Sequence, residues 1–586
     1  MGAIARAIAG AAGGLAGMGA MSEFMVLECG GVRWQIRPGL EHLFGPDGLR
    51  LKEWLDAGQA HVVKHGPHRT VYHVILPGLE FYLKHNRLAD CRAKLRELVR
   101  PSKARSEYEH ARAVAARQVP TFEALALGEP SRASLARDSY LITCALPDTR
   151  PLHSFLETTL PQWPSLRQTR LRQRLAVTLA QLLAHMHDAG IVHRDLHPGN
   201  LLVRLDADDR PELFLIDLHA VGIGAPLSWR ARRANLIVLN RWFSLRSQRT
   251  DRLRFWHAYE AATRFLDSRE TINRIADLER RTLASNVRMW DKLDRRCLGN
   301  NRLFRRVRAA DIAGHAVADF PAESLSLLLA DPDSLFESPT SIVHKRSPSS
   351  AVVEFDLPGS HGPRRVVCKR FAVTRWSDPW TALFRPAPAL RSYVMGHALL
   401  LRCLPTPRPL AVWHRYRHGL AHEGYLLTEK VADTLELRSF VDRLHTLPSA
   451  ECRVRLRRSI DQLAHLLAML HQRRLSHRDL KAANVLVSGV STLHSEGDVS
   501  LHFVDLVGVC RLRKLRRARR VQNLARLNAS FLNHPALTRG DRLRFLRIYL
   551  RWGLRGRIGW KRWWQQIAEE TANKVRRNLL RRRPLG

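Results

Sequence analysis

Two stretches of this chain combine residue types that can manage phosphates, a divalent metal and a hydroxyl group. The first holds Asp195 in the loop His193-Arg194-Asp195, then Asn200, then Asp217 after the apolar run Leu213–Ile216. Lys84 and Glu107 lie upstream. Phosphoryl transfer asks for this kit, because its demands are positioning and charge neutralisation rather than covalent help. Asp195 can orient an attacking hydroxyl. Asn200 and Asp217 offer hard oxygen atoms suited to Mg²⁺. Lys84 supplies a point charge for the α- and β-phosphates of ATP, and a carboxylate on the next helix can fix its position. Glu107 and Glu109 compete for that role. His187 and His471 read as braces of the loop, and His193 and His477 as backbone-bracing residues rather than metal ligands or bases.

The second stretch keeps Lys369, Asp479, Asn484 and Asp505 and adds Lys481. It lacks the acidic partner, because Ser392 stands where Glu107 stands in the first. Glu429 is a distant substitute. The correspondence extends well beyond these residues. Val119-Pro120-Thr121 matches Leu404-Pro405-Thr406, and Tyr140-Leu141-Ile142-Thr143 matches Tyr425-Leu426-Leu427-Thr428. Asn235 and Asn240 match Asn523 and Asn528, and Asp251–Phe255 matches Asp541–Phe545. A nearly constant offset over so many positions identifies a duplicated domain.

The elements that must position these groups follow one grammar in each repeat. Strands are expected at Val71–Leu76 and Phe81–Lys84, joined by a Pro77-Gly78 turn. A charged helix over Ser102–Arg117 follows, then a strand at Ser139–Cys144. An amphipathic helix is expected over Leu171–Ala189, then short strands at Leu201–Val203 and Leu213–Ile216, then helices. Strands first and helices later give an α+β fold of two tandem bilobal domains. The expected division is an N-terminal extension and small-lobe lead-in (1–57), domain 1 (58–300), a connector (301–337) and domain 2 (338–586). Ser324–Leu329 reads as a short helix within the connector. Met21-Ser22-Glu23-Phe24 reads as a natural start.

Composition narrows the partners. The 586 residues carry 95 Lys and Arg against 54 Asp and Glu, a formal charge of +41, which favours an anionic partner such as phosphate, an acidic glycolipid or a membrane surface. No nucleic-acid partner is expected from charge alone. The eight cysteines have no CxxC spacing, so neither a disulfide framework nor a zinc site is expected. Trp560, Trp563 and Trp564 read as core, and Arg511–Arg520 as a solvated helix face.

The paired runs His193–Asn200 and His477–Asn484, each followed by an apolar strand and Asp, resemble the protein-kinase-like superfamily. The small-lobe wording Lys64–Val71 with Phe81–His85, and Leu404–Leu410, resembles the lipopolysaccharide kinase (Kdo/WaaP, InaA) family. The resemblance implies ATP- and Mg²⁺-dependent phosphorylation of a hydroxyl on a sugar or glycolipid, by a cytoplasmic enzyme that visits the inner membrane face. It assigns Asp195 and Asp479 as catalytic residues. Lys84, Glu107, Lys369 and Lys481 become nucleotide-directed groups, and Asn200, Asp217, Asn484 and Asp505 metal ligands. The family register, counted from Pro120, favours Glu107 over Glu109. Neither repeat has a GxGxxG phosphate loop or an Ala-Pro-Glu motif. The missing loops leave open a pseudokinase scaffold, and Lys481 leaves open a protein kinase.

Overall fold

The computed structural model describes residues 24–66, 68–87, 101–131, 138–263, 271–358, 362–374, 380, 386–491, 499–553 and 559–580. Met21–Glu23 of the expected start lie outside them. The chain divides into two units, Met1–Thr282 and Leu283–Gly586.

In the first unit a seven-stranded antiparallel sheet precedes a helical lobe. Its strands are β1 (Met25–Cys29), β2 (Val32–Ile36), β3 (Ala60–Gly66), β4 (Arg69–Leu76), β5 (Leu79–Asn86), β6 (Ala124–Pro130) and β7 (Ser139–Cys144), in the spatial order β1-β2-β6-β7-β5-β4-β3. Alternation decides which side chain faces where. Phe81 and Leu83 are buried with Trp34, Trp54 and Val74, so Lys84 is left on the opposite face of β5. Helix α1 (Lys103–Ala116) packs against β6 and β7 and buries Ala104, Glu107, Tyr108, Ala111 and Val114 on one stripe. Ser102 caps it, its hydroxyl accepting from the Arg105 amide at 3.0 Å. A glutamate in that buried stripe needs a cationic partner.

The helical lobe follows with α2 (Ser165–Asp188), β8 (Ile191–His193), β9 (Leu201–Leu205), β10 (Pro211–Leu215), β11 (Val221–Ile223), α3 (Trp229–Arg246) and α4 (Arg249–Ala262). Strands β8 and β11 pair, as do β9 and β10, so the Asp195 loop and Asp217 sit at the ends of two small hairpin-like sheets. The repeated Pro-Thr pair has a job here. Pro120 carbonyl accepts from the Leu215 amide at 2.9 Å, and Thr121 hydroxyl donates to the Leu215 carbonyl at 2.6 Å. This ties the chain leaving α1 to the strand that leads to Asp217.

The division between the units falls within α5 (Thr271–Leu293). The second unit repeats the plan. Its sheet runs β12-β13-β17-β18-β16-β15-β14, from β12 (Phe304–Ala309), β13 (Ile312–Val317), β14 (Ile342–Ser347), β15 (Ser350–Leu357), β16 (Arg364–Phe371), β17 (Pro409–Arg417) and β18 (Leu420–Glu429). The 301–337 stretch is therefore more than a connector. β13 pairs with β17, and α6 (Ala322–Ala330), where a short helix was expected, buries Leu325, Leu328 and Leu329 in the core of that sheet. The hairpin hides in sequence because Arg305, Arg306 and Arg308 crowd its outer strand. The second helical lobe contains α7 (Pro388–Leu401), α8 (Leu437–His445), α9 (Ser449–Gln472), α10 (Arg517–Ala529), α11 (Arg539–Gly553) and α12 (Trp560–Leu580).

Two surface readings need correction. Trp563 is core, but Trp560, the first residue of α12, is 39% exposed although it lies one turn before Trp563 on the same helix face. Arg511 is no helix-face residue. It ends a short strand and pairs with Asp291 at 2.7 Å and Asp294 at 2.9 Å.

Candidate active site

The loop before Asp195 is held by a buried polar relay. His187, near the end of α2, is fully buried, with Nδ1 2.8 Å from the Tyr259 hydroxyl and Nε2 3.1 Å from Asn235 Oδ1. Asn235 Nδ2 donates to the His193 carbonyl at 2.6 Å. That bond orients the amide, so Nε2–H of His187 donates and the tyrosine hydroxyl donates to Nδ1. Burial lowers the His187 pKa to about 4 despite the Asn235 hydrogen bond, and the imidazole is neutral. His193 Nε2 donates to the Ile216 carbonyl at 3.1 Å, while its Nδ1 accepts from the Asp195 amide at 3.3 Å. One imidazole thus links the Asp195 loop to the residue before Asp217. Burial lowers its pKa, against the Ile216 bond.

Asp195 itself is open, its side chain 65% exposed, with His197 Nε2 3.6 Å from one oxygen. Asn200 is buried and its Nδ2 donates to the Asp195 carbonyl at 2.9 Å. Its own carbonyl accepts from the Ile216 amide at 3.0 Å, which sets Asn200 beside Asp217 along the chain path. Asp217 has left-handed backbone angles (φ 61°, ψ 53°), a conformation that costs a non-glycine residue energy and is found at functional sites.

The sheet and α1 bring the remaining groups to this point. Lys84 Nζ donates to Glu107 Oε1 at 2.5 Å, and the Glu107 side chain is only 4% exposed. Glu109 is 57% exposed and pairs with Arg105, so the choice falls on Glu107. Arg69, at the root of the β3–β4 hairpin, places NH2 3.3 Å from Glu107 Oε2 and NH1 3.6 Å from Asp217 Oδ1. His219 Nδ1 lies 2.7 Å from Asp217 Oδ1. Burial alone would raise the Asp217 carboxyl. His219, Arg69 and Lys84 override it and hold that carboxyl well below the usual carboxylate range. The hydrogen bond to Asp217 raises His219 in turn. Ligand atoms of Glu107, Asp217 and His219 lie within 4.8 Å of one another, a compact set that could hold a cation. Asp217 is the hard anionic oxygen in it best suited to Mg²⁺, since Glu107 is already engaged by Lys84.

The second repeat has the same loop but a different charge arrangement. His471 meets Tyr549 at 2.8 Å and Asn523 Oδ1 at 3.1 Å, and Asn523 Oδ1 also accepts from the His477 amide. Asn484 Nδ2 donates to the Asp479 carbonyl at 2.7 Å, and Asp505 repeats the left-handed backbone at φ 53°. Thr406 hydroxyl bonds the Phe503 carbonyl as Thr121 bonds Leu215. Ser392 is buried on α7, its hydroxyl donating to the Pro388 carbonyl at 3.0 Å. Lys369 Nζ instead reaches Asp505 Oδ1 at 2.7 Å. Glu429 does not stand in for the missing glutamate. It pairs with Arg364 and, at 3.5 Å, with Arg408. Its register explains this, since Glu429 lies opposite Val366 while Lys369 lies opposite Leu426.

The model of the lipopolysaccharide kinase (Kdo/WaaP) family matches residues 78–259 and 382–549, more than half of the chain and once in each unit. The chain belongs to that family. It carries the kinase-like phosphotransferase domain in tandem duplication. The first lipopolysaccharide-kinase match contains Lys84, Glu107, Asp195, Asn200 and Asp217. The second contains Ser392, Asp479, Asn484 and Asp505 and begins beyond Lys369. A solved structure of "WaaP in complex with acyl carrier protein" aligns at 25% identity over 43% of this chain and 98% of its own, with a TM-score of 0.33. No curated protein matches the chain.

Three residues of this cluster carry little or no signal in the sequence. Arg69 lies inside the run Lys64–Val71 with nothing to mark it for a role. His197 could have been found, because it occupies the place that Lys481 takes in the second repeat. His219, two residues after Asp217, gives no signal beyond its type.

Proposed function

We propose that the first repeat transfers a phosphoryl group from ATP to a hydroxyl of a sugar or glycolipid, with Mg²⁺. The observation that carries this reading is the Lys84–Glu107 pair joined through Arg69 to Asp217, with Asp195 exposed on the loop that His193 ties to Ile216. The donor chemistry fits both ligands. Two cations, Lys84 and Arg69, share one buried carboxylate and suit a triphosphate, and Asp217 with Asn200 offers hard oxygens for Mg²⁺. When bound, the metal would neutralise phosphate charge. Lys84 holds phosphate, Glu107 fixes Lys84, and Asp195 orients the acceptor hydroxyl and takes its proton at the carboxylate. Family membership supports the choice of a sugar or glycolipid acceptor. The +41 charge supports work at an anionic surface, in the cytoplasm at the inner membrane face. No described helix is long and apolar enough to cross a membrane.

The second repeat reads differently. Lys369 occupies Asp505, and no carboxylate from α7 holds that lysine. We assign it a nucleotide-binding or scaffolding role with slow turnover at most, with Lys481 beside Asp479 as its one gain.

The test is phosphate transfer from labelled ATP to saccharide and lipid acceptors by the purified full chain. Asp195→Ala should lower turnover by on the order of 10²–10⁴. Unchanged turnover would remove Asp195 from the chemistry.

A further inference from the structure

The first repeat is read as an ATP-dependent kinase, yet the run Lys64–Val71 holds a single glycine, Gly66. Gly66 of β3 pairs with Arg69 of β4. A glycine-rich loop grips phosphate through a run of amides, and a run with one glycine followed by a proline, which has no N–H, is poor in them. The residue it does supply is Arg69.

Three observations define what Arg69 can do. Its guanidinium reaches both Glu107 and Asp217, so it spans from the helix partner of Lys84 to the metal-directed aspartate. Both contacts are long, at 3.3 and 3.6 Å, against 2.5 Å for Lys84 and Glu107. Charge-assisted bonds are strong at about 2.7–2.9 Å, so Arg69 is held loosely. Its Nε is buried without a hydrogen-bond partner among the described residues, an arrangement that is costly unless an acceptor arrives. Lys84 and Arg69 face Glu107 and Asp217, two cations against two carboxylates, with His219 a further partner of Asp217. A cation bound at Asp217 would leave the guanidinium with a surplus positive charge beside the phosphate-holding lysine.

We propose that Arg69 is a second phosphate-holding cation of the first repeat, leaving Asp217 when nucleotide enters and closing on the triphosphate in place of glycine-loop amides. The second repeat lacks it. Arg69 pairs with Asn86, two residues past Lys84, and Ser350 pairs with Phe371, two residues past Lys369. Ser350 therefore stands where Arg69 stands, and it carries no charge.

The experiment compares ATP and adenosine binding by calorimetry, in the full chain carrying Lys369→Met to silence the second repeat's lysine. Arg69→Ala should weaken ATP at least about tenfold and leave adenosine unchanged, since adenosine has no phosphate to hold. In kinetics the loss should fall on KM for ATP more than on kcat. Arg69→Gln, which keeps length and a donor but not charge, should behave the same way if Arg69→Ala folds poorly. Arg69→Lys should recover part of the affinity. ATP binding by Arg69→Ala or Arg69→Gln within about twofold of the parent would overturn the role of Arg69 while leaving the kinase reading intact. A parent that binds adenosine but no ATP would overturn the kinase reading, and the Arg69 role with it.

Discussion

Lys84 and Lys369 occupy the same place in two copies of one sheet, and they reach different partners. Lys84 lies opposite Val71 and Lys369 opposite Val352, at equivalent registers. In the first repeat the lysine is held by Glu107 on α1, a group that binds no phosphate. In the second it is held by Asp505, the group that should bind the metal. The helix residue that can hold the lysine differs, Glu107 against Ser392, and so does the strand residue beside it, Arg69 against Ser350. A partly buried lysine takes a carboxylate within reach, because an unpaired charge at low exposure is costly. Without a helix carboxylate the nearest one is the metal-directed aspartate. Burial alone would raise Asp505, but the Lys369 charge and hydrogen bond lower it, so this aspartate stays ionised and engaged. The second copy has thus kept the loop's aspartate and asparagine and lost the carboxylate that holds the lysine away from the second aspartate.

The comparison is broken or confirmed most strongly at the two aspartates. Asp217→Ala should cut phosphotransfer by the full chain on the order of 10²–10³-fold, the scale of losing a main electrostatic group. Asp505→Ala should leave activity within about threefold. Both are read as initial rates with labelled ATP. The reverse ranking would place catalysis in the second repeat and make Lys481, not Glu107, the informative difference.

Much of this contrast is legible in the amino-acid sequence. The internal repeat marks Ser392 as the counterpart of Glu107, and motif spacing picks Asp195, Asn200 and Asp217. Strand alternation places Lys84 on the face opposite Phe81 and Leu83. The sequence does not show where a lysine goes once its partner is lost. That depends on distance across the fold, and Glu429, the substitute the sequence suggests, belongs to Arg364 and Arg408. Arg69 is hidden for a similar reason. One more arginine carries no information in a chain with so many, until β4 carries it to Glu107 and Asp217. The β12–β13 hairpin is hidden because half of its edge strand is arginine.

The feature both repeats share should produce a common failure in acid. His187 sits at about 4 and His471 at about 3, each lowered first by burial. An unfolded histidine titrates near 6.5. Below that pH the unfolded chain takes up protons that the folded chain refuses, so stability falls as pH drops from about 6.5 toward 4. His187 alone accounts for about 3 kcal/mol over that window. Thermal unfolding between pH 7.5 and 4.5 should show Tm falling for both units, and His187→Gln should flatten the fall in the first unit only. A Tm that is level across the window would show that these imidazoles are not neutral braces.

The smallest effect, and the sharpest test of the comparison, is to give the second repeat its missing carboxylate. Ser392 is buried on α7 at the position matching Glu107, and its hydroxyl bonds only back to Pro388 in its own helix. In Ser392→Glu the new carboxylate can draw Lys369 away from Asp505. Asp505 would then face the cleft without a lysine on it, as Asp217 does in the first repeat. Made in a chain carrying Asp217→Ala, the change should convert a weak or absent thermal shift with ATP and Mg²⁺ into one of roughly a degree or more, as binding to the native state requires. Phosphotransfer should rise only slightly, because Ser350 still stands where Arg69 would be. Ser392→Gln, equal in size but uncharged, separates charge from crowding and should give no shift. An equal response from Ser392→Glu and Ser392→Gln, or none from Ser392→Glu in a folded chain, would mean that the lysine's partner is not what divides the two repeats.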